Sequence, residues 1–104
     1  MLENLAFTAH FQQDRADRMA NILTKLAVGT IIAKKVCGMD DTKYYQFTDT
    51  GIMFVVSKTN NAIITAYLPT PKQISGIFEG HAPQALFSVV VRNSKNKKLA
   101  YLYD

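Results

Sequence analysis

The chain has 104 residues, 48% of them hydrophobic and 19% charged, with a formal net charge of +4. That length is one domain with a small core, and that composition excludes a disordered chain. A single cysteine excludes an internal disulfide, and two distant histidines with no Cys-x-x-Cys or His-x-x-x-His spacing give no metal site, so no cofactor is expected.

The N-terminus, Met1-Leu2-Glu3-Asn4, has no basic segment followed by a long apolar one. No secretory signal is expected, and no stretch is long enough to span a membrane. The expected setting is soluble and cytoplasmic. Residues 1–9 form a lead-in, either a short strand or an irregular segment.

Ala16, Met19, Ala20, Leu23, Leu26 and Ala27 recur at i, i+3, i+4 spacing, which predicts a helix over residues 11–28 with one buried face. Asp14 and Asp17 stand early and Lys25 late, as the helix dipole favours. Gly29 is the expected stop. Four strands follow: 30–37, 43–48, 52–57 and 62–68. Turns at 38–41, 49–51 and 58–61 separate them, the last of these holding the adjacent asparagines Asn60 and Asn61. The third strand is almost wholly apolar, which predicts a central place in the sheet. Pro69 closes the fourth.

Thr70-Pro71 is an N-cap followed by proline at the first helical position, so a helix is expected to run to Glu79 and stop at Gly80. A last helix is expected from 82–84 onward, although Val89-Val90-Val91 also fits a strand. Residues 92–98 read as a basic polar tail. The sum is an α+β domain, residues 1–104. An N-terminal helix packs on an antiparallel four-stranded meander sheet, and one or two C-terminal helices follow.

Side chains alternate along a strand. In the fourth strand Ile64, Ala66 and Leu68 are expected to face the first helix. Ile63, Thr65 and Tyr67 then point to a partly open face, with Thr65 opposite Phe54. Thr and Tyr are also ordinary strand formers, which alone accounts for them. An unperturbed imidazole titrates near neutral pH, which makes His10 a candidate to move a proton. Arg15 and Arg18, three apart, can hold a phosphate together, or simply pair with Asp14 and Asp17.

RNA cleavage through the 2′-hydroxyl needs a base, an acid and cations on the developing charge. His10 fits the first roles, Arg15 or Arg18 the last. Tyr67, Tyr44 or Tyr45 can position a phosphate or stack on a base. Lys34, Lys35 and Lys43 are candidate contacts to an RNA backbone. None of this chemistry needs a metal. His81, in the loop between the C-terminal helices, is expected to be merely exposed.

These residues carry a resemblance. Thr8-Ala9-His10, followed by spaced arginines, opens a helix ending at Gly29, and the strands close on Ile63-Ile64-Thr65-Ala66-Tyr67. Residues 7–69 thus resemble the small bacterial and phage domains of the barnase–EndoU–colicin–RelE-like superfamily. Many of its members open this helix with His-Ala-x-x-Arg-x-x-x-Arg and end on a strand like Ile-Thr-Val-Tyr. Here Phe11 stands for the alanine, and the arginines follow His10 by five and eight residues. Residues 70–104 are an extension outside that likeness.

The resemblance implies a metal-independent ribonuclease of toxin or mobile-element type. It would act on RNA, including ribosome-associated RNA, and would be held in check by an antitoxin or immunity protein. It implicates His10, Arg15, Arg18, Thr65 and Tyr67. Two other readings stay open. One is a non-catalytic accessory protein that binds nucleic acid or a protein on the same scaffold. The other is a structural protein that oligomerises through the Ile52–Val56 segment.

Overall fold

The computed structural model describes residues 6–7, 16–37 and 40–103. In chain order the elements are β1 (Ala6–Phe7), α1 (Ala16–Lys25), β2 (Ile31–Cys37), β3 (Asp40–Thr48), β4 (Met53–Ser57), β5 (Ala62–Tyr67), α2 (Pro71–Ile77) and α3 (Gln84–Ser94). A 3-10 helix, Lys97–Leu102, follows them. The sheet order is β1-β5-β4-β3-β2. Strands β2 to β5 form the expected antiparallel meander. The short β1 adds a parallel strand at the β5 edge, with Ala6 beside Ala62 and Phe7 beside Ile63.

The sheet is covered on both faces, so it has two cores. On one side Ile22 of α1 meets Phe54, Val56, Ile63 and Ala66, and Leu99 and Leu102 of the 3-10 helix join them. On the other side Leu86, Val89 and Val90 of α3 and Ile74 of α2 pack on Phe47 and Met53. The central β4 gives successive residues to opposite cores, which is why it reads as one apolar run. Ile52, Met53, Phe54 and Val56 are therefore buried inside one chain. An oligomer interface through Ile52–Val56 does not fit this packing.

Helix α1 ends at Lys25, three residues short of the expected end at residue 28, and residues 11–15 of the expected helix lie outside the described residues. The next carbonyls are taken by a turn of the sheet: the Thr50 hydroxyl lies 2.6 Å from Ala27 O and 3.3 Å from Val28 O. Asp49 continues the stitching, its amide donating to Thr30 O at 2.9 Å and its carboxylate accepting from Thr30 N at 3.1 Å. Gly29, at φ +72°, sits in this close approach, where a Cβ would collide with the Asp49 carboxylate.

A β-bulge corrects the side-chain assignment in β5. Val55 pairs with Thr65, but Val56 pairs with Ile63, so Ile64 has no partner across the ladder. One extra residue reverses the alternation on either side of it. Ile63 therefore joins Ala66 and Leu68 in the α1-side core. Thr65 stands opposite Val55, and Ala66 opposite Phe54.

The C-terminal part is folded further than expected. Thr70 accepts from Gln73 N at 3.1 Å while the Gln73 side chain accepts from Thr70 N at 2.8 Å, a reciprocal cap that starts α2. Val89-Val90-Val91 is helical, because Leu86, Val89, Val90 and Asn93 form one buried stripe. Residues 92–98 are not a tail. Arg92–Ser94 close α3, and Asn96 caps the 3-10 helix by accepting from Lys98 N at 3.0 Å.

Candidate functional site

The register of the sheet brings the α2-side residues into rows. Directly paired residues share a face, so Lys35, Tyr45, Val55 and Thr65 form one row across four strands. Ala33, Phe47, Met53 and Tyr67 form the next. Helices α2 and α3 cover the second row around Phe47, whose ring lies 5.2 Å from that of Phe78. They leave part of the first row uncovered. The face expected to be partly open is thus a cleft between sheet and helix.

The cleft has a volume of about 690 Å³. Val55, Thr65 and Tyr67 line its sheet side with Lys43 and Tyr45, and Gln73, Gly76 and Ile77 of α2 line the other. Past Tyr45 it continues into a second stretch of about 450 Å³, where Lys35, Val36 and Glu79 join the lining. The two share Tyr45, Gly76 and Ile77, so they read as one groove running toward the β2 edge. Such volumes suit a ligand of nucleotide size or larger.

Thr65 is 5% exposed, and its Oγ1 has no hydrogen-bond partner among the described residues. A buried hydroxyl in that state is costly and is worth a functional explanation. A second buried threonine of the same sheet shows the ordinary case. Thr48 Oγ1 is 3.0 Å from Thr50 Oγ1 and accepts from Ile52 N at 3.1 Å.

Thr65 and Tyr67 come together in the cleft, as the strand alternation predicts, with Tyr45 and Lys43 beside them. Lys35 lies farther along the same groove. Lys34 and Tyr44 do not join them, because both point to the α1 side. There Lys34 Nζ sits 5.7 Å from the Tyr44 ring centroid, a cation–π contact. Gln46 Nε2 donates to the Tyr44 hydroxyl at 3.3 Å. The five candidate RNA contacts are thus divided by the sheet.

His10 and Arg15 lie outside the described residues. Arg18 belongs to α1, which packs on the sheet face away from Thr65 and Tyr67. Phe7 pairs with Ile63 in a parallel strand, so β1 runs toward the Thr65–Tyr67 end of β5. His81 is exposed between α2 and α3.

Sequence reasoning missed the α2 wall. Its signal was present: the Thr70–Gln73 capping box begins three residues after Tyr67 and fixes where α2 starts. Among the described residues no group of histidine, cysteine and acidic side chains can hold a metal ion, and no helix is long and apolar enough to cross a membrane. Comparison with protein-family models, with curated proteins and with solved structures finds no match for this chain.

Proposed function

We propose that this chain is a metal-independent endoribonuclease of toxin or mobile-element type that takes single-stranded RNA into the α2-side groove. The observation that carries the reading is the row running from Lys35 and Tyr45 to Thr65, with Lys43 and Tyr67 beside it. Ammonium groups attract phosphates, tyrosine rings stack on unpaired bases, and the Thr65 hydroxyl, once turned toward the groove, would hydrogen-bond a base edge or sugar. The formal charge of +4 favours the same partner.

Cleavage requires a proton carrier. The sequence resemblance nominates His10. In this reaction a base removes the 2′-hydroxyl proton, and the 2′-oxygen attacks phosphorus. The 5′-oxygen leaves with a proton from an acid, giving a 2′,3′-cyclic phosphate and a 5′-hydroxyl end. Lys43 would offset charge on the phosphorane. A cognate antitoxin or immunity protein belongs to this reading.

The test is cleavage of total RNA by purified protein in EDTA, wild type beside His10→Ala. The proposal predicts cleavage that survives the chelator and disappears in the variant. A specific observation favours a second reading, an accessory protein that binds RNA without cutting it. No imidazole or carboxylate lines the 690 Å³ stretch of the groove among the described residues. Tight binding of RNA with no cleavage by either protein, alone or with ribosomes, would select that reading.

A further inference from the structure

We propose that the outer edge of β2 takes an extended acidic segment of a partner protein as a sixth strand. β2 is last in the sheet order and pairs only with β3 among the described residues. Its backbone is therefore a template for one more strand. The ladder is irregular between Ile31 and Ala33 and again between Val36 and Cys37, so Ala33–Val36 is the regular run. An added segment would pair over about this length.

The side chains say what kind of segment fits. Val36 is 45% exposed, and Lys34 and Lys35 are exposed. Lys34 and Lys35 point to opposite faces, so two successive acidic residues on the incoming strand would meet one lysine on each face. An apolar residue next to them would cover Val36. At the β2 edge Lys34, Lys35, Val36, Tyr44 and Lys58 line a hollow of about 310 Å³ with no carboxylate in its lining. On the α2 side Glu79 shares the groove with Lys35 and offsets part of its charge.

A second copy of this chain fits poorly. Antiparallel pairing of two β2 edges through Ala33–Val36 would set lysine against lysine, which is destabilising. Lysines and bulges are also the usual means of keeping an edge from pairing with itself. Here they oppose a like strand and favour an acidic one.

The experiment uses the full chain, uniformly labelled, and a capped peptide of sequence Thr-Val-Glu-Glu-Thr-Val-Thr. The control peptide has lysines in place of the glutamates. The proposal predicts that the acidic peptide binds and slows amide exchange at alternate residues of Ala33–Val36, those whose N–H groups face away from β3. The control should bind at least ~10-fold more weakly. The double variant Lys34→Glu/Lys35→Glu, changed only at exposed positions, should reverse that preference. No binding of the acidic peptide at about 1 mM, equal binding of both peptides, or protection elsewhere would overturn the proposal. So would dimerisation of the free chain that is abolished by the double variant.

Discussion

Replacing Thr65 by valine tests the site through its stability as well as its activity. Thr65 is 5% exposed, and its hydroxyl has no partner among the described residues. Burying an unpaired hydroxyl costs about 1–3 kcal/mol. Valine keeps the β-branched shape and the strand preference while removing that cost. Thr65→Val should therefore raise stability by about 1 kcal/mol, which in a domain of this size raises Tm by about 4–8 °C. If RNA binding turns the hydroxyl into the groove to make a hydrogen bond, affinity should fall about fivefold, the loss of one ordinary hydrogen bond.

Thr48→Val is the internal control. Thr48 is fully buried, and its hydroxyl holds both Thr50 and the Ile52 amide. The same chemical change there should cost about 1–3 kcal/mol, because it leaves the Ile52 amide unpaired. Urea denaturation followed by circular dichroism reads both values, with unchanged slopes showing that only stability moved. Loss of 1 kcal/mol or more in Thr65→Val would mean that the hydroxyl is already satisfied in the folded protein. Unchanged RNA affinity would remove Thr65 from the site.

Asn93→Ala should destabilise the fold by about 1–3 kcal/mol in the same assay, since its buried amide donates to Thr50 O at 2.9 Å and ties α3 to the β3–β4 turn. Gly76→Ala should stabilise by about 0.5–1 kcal/mol, because Gly76 is helical and a Cβ there meets nothing within 4 Å. Burial raises the Tyr103 phenol above its ordinary pKa near 10. The folded state then holds that proton more tightly than the unfolded chain. The associated stability is present below about pH 10 and is lost as pH rises through the folded-state value. Tm measured from neutral to strongly alkaline pH should fall less steeply in Tyr103→Phe than in the wild type.

The meander was legible because its strands are uniform apolar or alternating runs separated by short polar turns. The α1 face was legible from a stripe of period 3.6, yet not its end. Thr50 captures the Ala27 and Val28 carbonyls from 22 to 23 residues away, and no local pattern records that. The bulge at Ile64 was equally invisible, since Ile63-Ile64 fits either register. Residues 92–98 read as a tail because their lysines outnumber their apolar residues. Leu99 and Leu102, just beyond, anchor the segment.

Of the site, Thr65, Tyr67, Tyr45, Lys35 and Lys43 follow from strand alternation. Lys34 and Tyr44 follow from the same rule to the opposite face. The wall built from Gln73, Gly76 and Ile77 depends on how α2 folds back over the sheet, which is a tertiary event.

The most direct measurement of the central claim is an amide chemical-shift map of the labelled protein titrated with a short single-stranded oligoribonucleotide in EDTA. The account predicts shifts concentrated at Lys43, Tyr45, Thr65, Tyr67 and Gln73, along the α2-side groove. Shifts confined to α1 and the 3-10 helix, on the opposite face of the sheet, would contradict it.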